Sequence, residues 1–145
     1  MKIKLVVNSF PSASETFLFN LVIGMEKCGH NVMVSAMSKH NDFDLYINRS
    51  HEWSGNIEYF PSLANNLSAL YSGLKIVLIN PVLFFRNKRK YGIKRGLIIS
   101  MQTLFLTHGD PEIVHFAYSG LGVSFLEVLD NLHDRAIKTF VSCRG

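Results

Sequence analysis

Four hydroxyls and one carboxylate crowd the loop Asn8 to Thr16: Ser9, Ser12, Ser14 and Thr16, with Glu15 among them. Ser12 is placed to cap a helix, and Glu15, three residues on, to fold back onto the cap's own amide. First-turn amides of such a helix favour an anion, and the hydroxyls beside them suit phosphate or sugar oxygens. The chemistry on offer is ligand binding rather than bond cleavage. The other reading of the same residues is a well-capped helix with no ligand. No carboxylate pair is spaced for two-carboxylate hydrolysis, and no Ser-His-Asp set is visible by spacing.

The elements that would position this loop follow from pattern. Ile3 to Val7 is an apolar strand that runs directly into it. Phe17, Leu21, Met25 and Cys28 then repeat at helical spacing, with Gly29 at the C-terminal cap position. His30 to Met37 alternates as a second strand, completing a βαβ unit. Lys39 to Asn56 reads as a polar loop, and Ile57 to Phe60 as a third strand stopped by Pro61. Ser62 to Asn80 and Val82 to Thr107 are helical in composition, broken at Pro81 and loosened near Gly92 and Gly96. The turn Gly109-Asp110-Pro111 leads into a fourth strand, Glu112 to Tyr118. Leu121 to Leu132 is read as one amphipathic helix with Leu121, Phe125, Leu126 and Leu129 on its apolar side. Ala136 to Ser142 is a fifth strand. Met33, Met37 and the aromatic residues from Phe105 to Phe125 are assigned to the core.

Strands alternating with helices predict an α/β fold with a doubly wound parallel sheet. In such sheets ligands sit outside the carboxyl ends of the strands, where this loop lies. The loop lacks GxGxxG, and no acidic residue ends the second strand to take a ribose, which argues against a nicotinamide cofactor. No cofactor and no metal are expected. A sixth strand and closing helices ordinarily follow such a pattern, so residues 1–145 are expected to be the front part of a longer protein.

Composition narrows the class. With 145 residues and 48% hydrophobic content, the chain suits one domain with a sizeable core. The formal charge is +4, yet six of the fifteen basic residues fall between Arg86 and Arg95. The remaining nine face eleven acidic residues, so the rest of the domain is slightly acidic. A nucleic-acid binder with a spread basic face is excluded. Cys28 and Cys143 suggest neither a disulfide framework nor a zinc site and are read as free thiols in a reducing compartment. The N-terminus lacks the long apolar region of a signal peptide, and the longest apolar stretch is too short to span a bilayer. A cytoplasmic protein is expected.

The segment Pro81 to Gly96 carries a second pattern. Apolar Val82, Leu83, Phe84 and Phe85 precede Arg86, Lys88, Arg89 and Lys90, with Lys94 and Arg95 close behind. One reading is a helix on an anionic membrane surface, with Phe84 and Phe85 in the bilayer and Arg86, Lys88, Arg89 and Lys90 at headgroups. The other is a solvated helix end with its apolar side in the core.

Three blocks of the chain resemble bacterial glycosyltransferases of family 4, the retaining GT-B enzymes that build surface polysaccharides. The first is Phe10, Pro11, Ser14, Glu15, Thr16 and Phe17 followed by Gly29, His30 and Val32. The second is Pro111-Glu112-Ile113-Val114-His115 with Ser119-Gly120, and the third is Val141 to Gly145. The resemblance implies a Rossmann-like N-terminal, acceptor-side half of a GT-B enzyme, with the C-terminal donor-binding domain missing from residues 1–145. It implies a nucleotide diphosphate sugar donor and a saccharide or lipid-linked acceptor at the inner face of the membrane. It places Asn8, Ser9, Ser12, Ser14, Glu15, Thr16, His115, Ser119, Gly120 and Arg144 along the cleft. No catalytic residue is assigned, and the isolated chain is expected to transfer no sugar. Two positions depart from the pattern: Ala117 stands where many relatives have a second histidine, and Arg144 where others have a cleft histidine. An arginine cannot act as a general base at neutral pH, but it can pair with a phosphate or carboxylate. Two further readings stay open: a non-catalytic α/β module that binds a ligand or partner, and a membrane-surface adaptor.

Overall fold

The computed structural model describes residues 1–10, 16–39, 57–60 and 78–143. In chain order the elements are β1 (Lys2–Ser9), α1 (Thr16–Lys27), β2 (Asn31–Ser38), β3 (Ile57–Tyr59), α2 (Pro81–Tyr91), α3 (Ile93–Thr107), β4 (Ile113–Phe116), α4 (Ser119–Ser124), α5 (Leu126–His133) and β5 (Lys138–Val141). Among the described residues five strands form one sheet in the order β3-β2-β1-β4-β5, and every adjacent pair is parallel. The expected α/β fold with a doubly wound, Rossmann-like sheet is therefore present, flanked by helices.

β1 is central, so both its faces must be buried, and the run KIKLVVNS meets that demand. Leu5 and Val7 pack with Phe10, Leu18, Val22, Val34 and Ala36 on the α1 side. Val6 turns the other way and packs with Val114, Phe116, Ile99, Leu106, Phe125 and Leu132. The cap of α1 forms as expected: Gly29 has φ +81°, with Gly29 N donating to Glu26 O at 2.8 Å and His30 N to Met25 O at 3.1 Å. These two bonds make a Schellman motif, which needs the left-handed residue that glycine supplies. Gly24, by contrast, sits inside α1 with open space around its α-carbon. Gly24→Ala is expected to stabilise the fold by about 0.5–1 kcal/mol, by restricting the unfolded chain. A thermal melt reads this as a rise of about 2 °C.

The helix break at Pro81 is as expected, and several other elements differ. Asn80 caps α2 through Leu83 N at 3.1 Å with Pro81 at the first helical position, so the break at Pro81 is real. Gly92, at φ +81°, separates α2 from α3. Gly96 does not loosen its helix: it lies within α3 at a close crossing, where an added β-carbon would come within 2.7–2.8 Å of the Asn87 and Lys88 backbone. The helix expected over Leu121 to Leu132 is two helices, broken at Phe125. Leu126 is exposed there, while Val128 and Leu132 fill the core. The loop expected over Lys39 to Asn56 falls outside the described residues beyond Lys39, and the helix expected over Ser62 to Asn80 does so up to residue 77. Among the described residues, no helix is long and apolar enough to cross a membrane. Cys28 and Cys143 are exposed free thiols.

Lys4 is the largest departure from a purely apolar β1. It is fully buried on the Val6 face, its Nζ donating to Phe105 O at 2.6 Å and to Glu58 Oε2 at 2.9 Å. The Phe105 ring lies 5.3 Å from the ammonium, and Glu58 Oε1 meets His108 Nδ1 at 3.0 Å. Burial lowers the Lys4 pKa, and the Glu58 carboxylate partly offsets this. One ammonium thus ties β1 to β3 and to the end of α3.

At the far edge, all four residues of β5 are exposed.

Candidate functional site

The strand order reverses direction between β1 and β4. β1 feeds α1 and then β2 on one side, while β4 feeds α4, α5 and then β5 on the other. Two crossovers that part in this way leave a crevice between their loops at the carboxyl ends of the strands. β1 ends in exposed Asn8 and half-buried Ser9. After β4, Ala117 N still donates to Val6 O at 2.9 Å, and α4 then begins at exposed Ser119 and Gly120. The parallel register therefore brings Asn8, Ser9, Ser119 and Gly120 to one edge, although more than a hundred residues separate the two pairs.

The crevice wall is held by groups from neighbouring strands. Ser38 Oγ donates to Asn8 O at 3.2 Å, and Tyr59 OH donates to Phe10 O at 3.1 Å. Burial raises the Tyr59 pKa, which keeps its hydroxyl a donor. Phe10 is itself buried against the α1 side. Three strands, β1, β2 and β3, thereby fix where the loop after β1 departs.

His115 sits lower than the loop. It is opposite Leu5 in register, three residues short of Asn8, or about 10 Å along the strand. Val114 and Phe116 point into the core beneath α3 and α5, so His115 faces the α1 side of the sheet. Its Nε2 meets Ser142 Oγ at 2.8 Å, and Ser142 N donates to Phe116 O at 2.9 Å. The imidazole–hydroxyl pair thus bridges β4 to the residue following β5, just beneath the crevice. Either partner can donate, because the imidazole tautomer decides the direction of that bond.

Of the residues expected at the cleft, Asn8, Ser9, Ser119 and Gly120 converge and His115 lies below them. Ser12, Ser14, Glu15 and Arg144 lie outside the described residues, as does the side chain of Thr16. The Ser12 cap and the Glu15 capping box are likewise outside. Ser38, Tyr59 and the partnership of Ser142 with His115 were missed. Ser142 and Ser38 follow or end strands at the carboxyl edge, and that position is the signal which points to them.

A hollow of about 450 Å³ lies at the opposite end of the sheet, lined in part by Met1, Asp110, Glu112, Arg135 and Lys138. It lies at the amino ends of the strands, away from the helix starts, and we assign it no role.

The basic segment is divided by the fold. Leu83, Phe84 and Asn87 are buried, so Phe84 belongs to the core and is not open to a bilayer. Arg86 Nη1 pairs with Asp134 at 2.6 Å, Lys90 with Asp130 at 2.8 Å and Arg95 with Glu127 at 2.8 Å. Arg86 also donates to Asn131. The Lys90 ammonium holds Asp130 below the usual carboxylate range.

Comparison of the chain with protein-family models, curated proteins and solved structures finds no match.

Proposed function

We propose that residues 1–145 form the N-terminal, acceptor-side part of a retaining GT-B glycosyltransferase. Its donor is a nucleotide diphosphate sugar, and its acceptor a saccharide or a lipid-linked oligosaccharide. The observation that carries the reading is the crevice between β1 and β4, at which both motif-bearing strands end. The three blocks of family-like sequence supply the sugar-transfer part of the reading.

In this reading the chain's own residues bind and orient, and none is assigned the transfer step. Asn8 and Ser9 offer an amide and a hydroxyl to acceptor oxygens, and Ser119 and Gly120 face them across the crevice. The His115–Ser142 pair presents a polarised hydroxyl to whatever descends between the strands. Ser12, Ser14, Glu15, Thr16 and Arg144 belong to the same loops by sequence. Donor binding falls mainly to a second domain, so the 145-residue chain binds nucleotide sugar weakly and transfers nothing.

Titration of the isotope-labelled chain with a nucleotide diphosphate hexose, an oligosaccharide and inorganic phosphate tests this. The amides of Asn8, Ser9, Ser119 and Gly120 are expected to shift with the sugars at lower concentration than with phosphate. Equal response to phosphate would leave the non-catalytic anion-binding module as the better account. Sugar transfer by the chain alone would overturn the need for a second domain.

A further inference from the structure

We infer that the outward face of α2 is a docking surface for an anionic phospholipid bilayer. The inference stands apart from the sugar-transfer reading and rests on how the fold sorts six cations and one apolar run. Arg86, Lys90 and Arg95 are matched one to one with Asp134, which caps the end of α5, and with Asp130 and Glu127 within it. Among the described residues, Lys88, Arg89 and Lys94 have no carboxylate partner. Lys88 instead lies 5.7 Å over the Phe85 ring.

Lys88 and Arg89 stand on α2 beside apolar side chains that the core has left out, and Lys94 opens α3 next to exposed Ile93. Val82 is 76% exposed, Phe85 57% and Ile93 64%. Leu78 and Ile79, just before the helix, are also exposed. Val82, Phe85 and Arg89 fall at i, i+3 and i+7, so they form one ridge along α2. Leu83, Phe84 and Asn87 form the opposite, buried side. A shallow groove along the ridge is lined by Val82 and Phe85 together with Arg86, Arg89 and Lys90.

The combination selects the occupant. A purely apolar face would suit another protein's core-like surface, and a purely basic one a soluble polyanion. Apolar groups flanked by cations, on a helix too short and polar to insert across a bilayer, match the boundary of headgroups and acyl chains. There Phe85 and Val82 enter the acyl boundary, while Lys88, Arg89 and Lys94 meet phosphates on flexible stems. The ion pairs with α5 hold the helix in this pose, since α2 is locked along that neighbour by Arg86 and Lys90. They also orient the molecule. α5 descends from the carboxyl edge of the sheet, and Arg95 meets its first turn at Glu127. The C-terminal end of α2, where Gly92 leads into Ile93 and Lys94 at the start of α3, is therefore the end nearer the crevice.

Co-sedimentation of the 145-residue chain with vesicles tests the inference, using phosphatidylcholine alone against phosphatidylcholine with phosphatidylglycerol. Binding to the anionic vesicles is expected to exceed neutral binding by about a hundredfold, from the three cations Lys88, Arg89 and Lys94, and to weaken with added salt. Each cation near such a surface multiplies partitioning by about fivefold, so Lys88→Glu with Arg89→Glu should cost at least about 25-fold. Val82→Ser with Phe85→Ser should abolish most of the remaining preference without unfolding the chain, as both side chains are exposed; circular dichroism checks the fold. Lys138→Glu, on β5, changes net charge equally per residue and should leave binding within about twofold. Equal binding to neutral and anionic vesicles overturns the inference. So does anionic binding that Lys138→Glu weakens as much as the α2 charge reversals do. No vesicle binding, with retained binding to an acidic soluble polymer, overturns it in favour of a protein or polyanion partner.

Discussion

Lys4→Ala is expected to destabilise the fold by about 3 kcal/mol, the lower end of what removing one partner of a buried ion pair costs. The substitution removes the donor to Phe105 O and the cation beside Glu58, and it empties the volume of a fully buried side chain. Glu58 is 27% exposed at its side chain, so water partly rescues it and the upper end is not reached. Lys4→Met keeps the volume and should lose less, and Lys4→Met with Glu58→Gln less still, because no unpaired charge remains. The pH response has a definite sign. Burial lowers the Lys4 pKa from its ordinary 10.5. Between the lowered folded value and 10.5, the unfolded chain carries a proton that the native chain has released. Stability contributed by this group therefore rises with pH across that window, and below it the contribution is constant. Lys4→Met should flatten that alkaline rise. Urea denaturation of the three variants at neutral and alkaline pH measures both effects. A loss under about 1 kcal/mol for Lys4→Ala would mean the pair carries no net stability.

Gly96→Ala should cost about 1–3 kcal/mol, by overpacking. Its β-carbon would stand 2.7 Å from Lys88 N and 2.8 Å from the Asn87 carbonyl carbon and the Lys88 α-carbon. Those atoms are backbone and cannot turn aside, so α2 and α3 must separate. The crossing also carries a buried polar chain. Ser100 Oγ donates to Gly96 O at 2.7 Å, Asn87 Nδ2 donates to Ser100 Oγ at 3.0 Å, and Asn131 Nδ2 donates to Thr103 Oγ1 at 3.0 Å. Parting the helices leaves some of these groups unsatisfied, which adds to the cost. A melting temperature lowered by several degrees is the expected reading, opposite in sign to Gly24→Ala. An unchanged melting temperature would mean that the crossing relaxes freely.

The contrast between these glycines shows what sequence could and could not reveal. Gly29 was legible because a helical repeat ends just before it. Gly96 looked like a weak point in a helix because glycine is a poor helix former, but its reason lies in another helix. Strand β1 was legible as an apolar run, which a strand buried on both faces requires, β2 by its alternation, and β4 from the turn Gly109-Asp110-Pro111 that leads into it. The break at Phe125 was not, since Leu121, Phe125 and Leu129 fit one helical repeat. Phe125 is instead drawn into the core, 5.5 Å from Phe116, and Gly122 packs against Val141. The fate of the basic segment was hidden for a similar reason. Its acidic partners lie 32 to 48 residues away, on α5 and at its C-terminal cap. Of the candidate site, sequence could name the loops but not the His115–Ser142 pair. That pair exists only through the register of β4 against β5.

The sheet is not uniform from centre to edge. Among the described residues β1 has a strand on either side and five consecutive buried residues, whereas β5 has one neighbour and four exposed ones. Opening β1 requires dismantling both cores, so its amides report global unfolding. In the 145-residue chain β5 is expected to open while the rest stands, and its amides to exchange with deuterium through that smaller event. Ser142 rides on the strand that peels, and His115 on the one that stays. In the 145-residue chain, opening of β5 is expected to break the imidazole–hydroxyl bond without global unfolding, which gives this corner of the molecule a clock separate from that of folding.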